Sequence, residues 1–158
     1  MYNKWFQNAI FYEVYLRAYR DSNGDGHGDI LGLVEKLDYI KDLGVDCIWL
    51  QPMYPSPLKD DGYDIADFMN IHPDYGTIEN IKILVEEIHK RGMYVISDLV
   101  LHHTSDQHAW FQAILKDPTS PYKDYYVWSK TGTEFSDARI IFLDTEPSNW
   151  TYSPEVGE

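Results

Sequence analysis

Three short apolar runs, AIFYEVYL, VDCIWL and MYVISDLVL, are separated by two stretches with helical spacing, and this alternation constrains the fold more than any other feature. Runs of this length, rich in branched and aromatic side chains, are of the kind buried on both faces of a parallel sheet. Between the first and second, Ile30, Leu33, Val34, Leu37 and Ile40 recur at helical spacing, and Gly44 follows as a stop. Between the second and third, Thr77 can cap a helix whose apolar face is Ile81, Leu84, Val85 and Ile88. That helix has Lys90 and Arg91 in its last turn and Gly92 after it. The order strand, helix, strand, helix, strand implies an α/β chain with a parallel sheet and right-handed crossovers, either doubly wound or closed into a barrel. Periodicity alone does not choose between the two.

After His103 the pattern changes to a stretch rich in Tyr, Trp, Pro, Ser and Asp. It reads as an excursion from the core, with a short helix near Ala109 to Leu115 and a strand at Ala138 to Leu143. The chain carries 13 Lys plus Arg against 26 Asp plus Glu, a net charge of -13. Such a charge repels nucleic-acid phosphates and anionic membrane faces, so neither is expected as a partner, and neutral or cationic ligands are favoured. Cys47 is the one cysteine and lies inside VDCIWL, so an internal disulfide is excluded and a small buried hydrophobe is the expected role. The first twenty residues lack the apolar core of a signal peptide, and no run approaches the ~18 residues that cross a bilayer, from which a cytoplasmic location is expected. The sequon Asn149-Trp150-Thr151 would matter only in a secreted protein.

DSNGDGHGDI, residues 21 to 30, crowds carboxylates and an amide between glycines. Like charges at alternate positions repel unless a cation or solvent compensates them. Calcium takes six to eight oxygen ligands, which loops supply from alternate residues. Asp21, Asn23 and Asp25 hold the first, third and fifth positions, Gly26 the bend, and Asp29 the ninth. The expected ligands are Asp21, Asn23, Asp25 and Asp29 through side chains and His27 through its backbone carbonyl, with calcium, or magnesium in its place, as the ion. An EF-hand is not expected, because its twelfth position needs a bidentate Glu and here is Gly32. A solvated acidic turn is the alternative; a phosphate cradle is excluded by the carboxylates.

The loop QPMYPSPLKDDGYDIADF leaves the second strand, where ligands bind in parallel sheets. Aromatic rings stack on the apolar faces of sugars while carboxylates accept from hydroxyls, so Tyr63 with Asp60 beside it makes a carbohydrate contact, a packed tyrosine being the other reading. Asp61 and Asp64 read as turn formers and caps. At the third strand end, SDLVLHHTSDQH holds Asp98, His102, His103, Asp106 and His108. Three readings stay open for this group: zinc, although the spacing fits no familiar site; histidines that cap the strand; or His103 as a neutral hydrogen-bond donor to a ligand.

Taken together, FYEVYLRAYRDSNGDGHGDI, LGVDCIWLQPMYPSPLKDDGYD and the Asp98 to His103 segment resemble the alpha-amylase superfamily of glycoside hydrolases, essentially over the whole chain. Within it, SPYKDYYVWS and above all DARIIFLDTEPSNWTYSP look like the branch that converts maltose to trehalose reversibly; alpha-glucosidases and oligo-1,6-glucosidases share the earlier segments. The resemblance implies the N-terminal part of a TIM (β/α)8 barrel over residues 1–103 and the start of an inserted second domain over residues 104–158. It implies retaining chemistry through a covalent glycosyl-enzyme, with maltose, trehalose and glucose as small-molecule ligands. By matched position it implies that Asp60 and His103 hydrogen-bond the innermost glucose, that Tyr63 is its stacking platform, and that Asp98 orients an arginine near the nucleophile. His102 stands where many relatives have an Asn, which in some of them binds a second calcium, so no calcium is expected there. The reacting carboxylates are expected beyond residue 158, and the isolated chain is expected to be inactive. A hydrolytic alpha-glucosidase and a non-catalytic calcium- or carbohydrate-binding module are the alternatives.

Overall fold

A computed structural model describes residues 4–140 and 146–158 of the chain. Among them the three apolar runs form β1 (Phe11–Val14), β2 (Cys47–Leu50) and β3 (Tyr94–Ser97), a parallel sheet in the order β1-β2-β3. The connections carry α1 (Ile30–Glu35) and α2 (Leu37–Asp42) between the first two strands, and α3 (Ile78–Lys90) between the second and third. A last helix, α4 (Ala109–Lys116), follows. The chain divides into two compact units, Met1–Gln107 and His108–Glu158.

The helices cover one face of the sheet. Ile48 and Leu50 of β2, with Val14 of β1, pack in one core cluster with Ile30, Leu33, Leu37 and Ile40 of the first crossover and Leu84 and Ile88 of α3. Each of these side chains is at most 2% exposed. The strands were expected to be buried on both faces; the central one comes nearest, with Cys47, Ile48 and Leu50 buried and Trp49 half-buried. Phe11, Tyr94 and Ile96, which alternate with the core-facing residues, are 39–43% exposed, and on their side of the sheet lies Trp5. Its ring stacks on Tyr94 at 4.0 Å.

The first crossover differs from the single helix expected. The chain breaks at Lys36, whose backbone (φ −104°, ψ 1°) leaves the helical well while its amide bonds Leu33 O, three residues back. The apolar stripe runs unbroken across the joint, since Leu33, Leu37 and Ile40 are all buried, so packing supplies no force to straighten it. The second crossover forms as its signals indicate. Thr77 and Asn80 make a reciprocal capping box, and Gly92 ends the helix at φ +67°.

In the second unit His108 caps α4 by accepting the Trp110 amide on Nδ1. Trp110 stacks on Tyr122 and Phe111 on Trp128, at centroid distances of 5.9 Å in both pairs. Ala138 to Ile140 carry no strand, and 141–143 of the strand expected there lie outside the described residues. Among the described residues no helix is long and apolar enough to cross a membrane.

Candidate functional site

The C-terminal ends of β2 and β3 lie side by side, and the segments leaving them are tied together by bonds between chain-distant residues. The loop after β2 turns back on itself through His72 N to Met53 O and Ala66 N to Pro55 O, 2.8 Å each. Asp64 staples its middle by accepting the Ser56 hydroxyl at 2.6 Å and the Lys59 amide at 2.9 Å. Burial alone would raise the Asp64 carboxyl, but these donors outweigh it and hold the group below the usual carboxylate range. Asp61 takes a left-handed backbone, φ +49°, followed by Gly62 at +102°. This turn presents Tyr63 toward the end of β3.

There Asp98 is gripped at both oxygens. Trp49 Nε1 of β2 donates to Oδ1 at 2.6 Å, and the Tyr63 hydroxyl donates to Oδ2 at 2.7 Å. The Asp98 amide continues the sheet ladder to Leu50 O at 3.0 Å. Burial, then the bond to Asp98, with the charges of Glu13 and Asp60 nearby, pushes the Tyr63 phenol up to about 12. Tyr63 therefore remains a neutral donor across the physiological range. His103 donates Nε2–H to the Tyr63 carbonyl at 2.9 Å, and its ring meets His102 edge-to-face at 4.4 Å. The N–H expected to face a ligand is in this geometry given to Tyr63, which leaves Nδ1 of a neutral ring as an acceptor. Asp60 bonds the Tyr63 amide through its backbone carbonyl at 2.8 Å. The structure thus groups Asp60, Tyr63, Asp98 and His103.

Trp49, Glu13 and Gln51 belong to the same neighbourhood and are not singled out by motif reading. Gln51 Nε2 donates to Glu13 Oε1 at 2.7 Å. Glu13, Trp49 and Ile96 share one register row on the open face of the sheet. The available signal was strand alternation, which separates Glu13 and Trp49 from the buried Val14, Ile48 and Leu50.

The acidic loop folds as a series of turns closed by its own side chains. Asp21 accepts the amides of Asn23, Gly24 and Gly26 at 3.1, 2.6 and 2.8 Å, and the Gly26 and Gly24 bonds hold its carboxyl below the usual range. Asn23 and Asp25 accept the amides of Asp25 and His27, at 2.8 Å each. Asp29 stands apart. It is 5% exposed and caps α1 by accepting Gly32 N at 2.7 Å, while Ser22 donates to it from both amide and hydroxyl. The His27 ring joins Arg17, 3.3 Å away, which is paired with Asp74 at 2.7 Å. The side chains of Asp21, Asn23, Asp25 and Asp29 offer oxygen donors, the kind calcium takes. Among the described residues no three His, Cys, Asp or Glu side chains are grouped as a metal site. The glycines do two jobs. Gly24 and Gly26 supply positive φ in open space, whereas Gly28 and Gly32 let the loop touch backbone: a Cβ on Gly32 would lie 1.9 Å from Arg20 O.

Residues 13–157 match the family described as alpha amylase, catalytic domain. The chain is 58% identical over 150 residues to the trehalose synthase/amylase of Mycolicibacterium smegmatis, covering 95% of this chain and 25% of that protein. It is 46% identical to the oligo-1,6-glucosidase of Parageobacillus thermoglucosidasius, covering 98% of this chain and 27% of the relative. The crystal structure of trehalulose synthase from Pseudomonas mesoacidophila superposes with a TM-score of 0.76 at 50% identity, over 78% of this chain and 22% of that one. Mutants of that synthase are known in complex with glucose and with the substrate sucrose. The chain therefore spans about a quarter of the length of the curated relatives it matches. Its three parallel strands and crossover helices are part of the TIM barrel of those proteins, and the chain belongs to the alpha-amylase family.

Proposed function

We propose that residues 1–158 carry the glucosyl-holding side of a retaining transglucosidase that converts maltose to trehalose reversibly. The observation that supports this most is the convergence of Tyr63, Asp98 and His103 at the C-terminal ends of β2 and β3. In barrels of this kind substrates enter at that end. Tyr63 offers a ring face to a pyranose, Asp60 and His103 bond its hydroxyls, and Asp98 supports the site from below. The reacting carboxylates belong to parts of the barrel outside residues 1–158. Residues 104–158 begin a domain inserted after the third strand. In the acidic loop, Asp21, Asn23, Asp25 and Asp29 with the His27 carbonyl would hold calcium, which would act structurally there by offsetting the loop's negative charge and stiffening the entry to α1.

A hydrolytic alpha-glucosidase is the second reading, favoured by the 46% identity to an oligo-1,6-glucosidase. The two differ in whether water reaches the covalent intermediate. Product analysis of the complete protein on maltose separates them: trehalose as the main product supports the isomerase, and glucose alone supports the hydrolase.

A further inference from the structure

Trp49 is the third residue of β2, between the buried Ile48 and Leu50, and faces the open side of the sheet. In an apolar run a tryptophan serves by ring area, and its N–H needs a partner only where water is excluded. Here the N–H has a specific one. It meets Asp98 Oδ1 at 2.6 Å across 49 residues of sequence, while the Tyr63 hydroxyl takes the other oxygen at 2.7 Å. The terminal torsion of an aspartate is broad, so one donor leaves the carboxylate plane free to turn. Two donors from different elements fix it, at the short distances of 2.6 and 2.7 Å. A carboxylate offers about four acceptor sites, so the pair leaves capacity for a ligand group.

We propose that Trp49 is a positioning residue: its indole N–H, opposite the Tyr63 hydroxyl, sets the plane of the Asp98 carboxylate for the sugar site. This rests on the reading of Asp98 as part of that site. Trp49→Phe keeps most of the ring and removes the donor, whereas Asp98→Ala removes the acceptor. With the complete protein and maltose, Trp49→Phe lowers kcat about tenfold or more and leaves KM within about twofold, with Tm unchanged. Because Trp49 acts through Asp98, adding Trp49→Phe to Asp98→Ala costs less than about twofold further. Wild-type kcat in Trp49→Phe beside an impaired Asp98→Ala overturns the assignment, as does a fully multiplicative loss in the double variant. A fall in Tm matching the loss of activity in Trp49→Phe also overturns it, since that is the signature of packing. Full activity in Asp98→Ala overturns the sugar-site reading and this inference with it.

Discussion

Individual side chains at the sheet mouth work in pairs, and the pairing decides what a substitution does. On the proposed reading, truncating His103 or Tyr63 removes sugar contacts without opening the core, since His103 is exposed and Tyr63 half-buried. His103→Ala and Tyr63→Ala are expected to lower kcat/KM of the complete protein by about tenfold to a hundredfold at unchanged Tm, the equivalent of one or two hydrogen bonds. Loss of Tm in both variants would show that they are packing residues. Asp64 behaves differently. Its folded carboxyl lies below the usual range, so the stability it contributes is present above the unfolded value near pH 4 and is lost as pH falls through the folded one. Acid denaturation of Asp64→Asn should be shallower over that window than wild type, and identical curves would count against the staple. At this scale the proximity of Tyr63, Asp98 and His103 was legible because each lies in a motif at a strand end. Trp49 was not, because an aromatic in an apolar run looks like core until its strand partners are known. Asp29 was legible as an acidic residue of the loop, but its bond to Gly32 N depends on where α1 starts.

Secondary elements follow their local signals closely where those signals are chemical. The cap at Thr77 and the glycine stops at 44 and 92 are written in side chains and φ preferences, and all three appear where expected. Thr77→Ala should cost about 1 kcal/mol in unfolding free energy, measured by denaturant titration; no loss would mean that α3 is held by its buried Leu84 and Ile88 alone. The break at Lys36 was not legible, because the apolar stripe that predicts a helix passes straight through it. The strands were legible as strands, but their open face was not: periodicity reports which residues are apolar and leaves unstated how many elements are present to cover them. Gly32 belongs to this scale as well, since α1 can approach the Arg20 carbonyl only without a Cβ. Gly32→Ala should destabilise by about 3 kcal/mol or more, because the obstructing atom is backbone and cannot rotate away. A Tm close to wild type would contradict that close approach.

For the whole molecule, three strands with helices on one face form one side of a barrel wall. The open face carries Glu13, Trp49 and Ile96 and leads up to Asp98. In a closed barrel such inward residues fill the interior, and the loops at the strand ends frame the ligand. That architecture follows from family membership, whereas periodicity left a doubly wound sheet equally open. Calcium at the acidic loop, if it binds there, should raise the Tm of the complete protein and Asp21→Ala should abolish the gain; an unchanged response in that variant would count against the loop. The most direct measurement of the central claim is a crystal structure of the complete protein soaked with maltose. The account predicts a glucosyl ring against Tyr63, with Asp60 and His103 within hydrogen-bonding distance of its hydroxyls. Sugar bound elsewhere, with those three side chains turned away from it, would contradict the account.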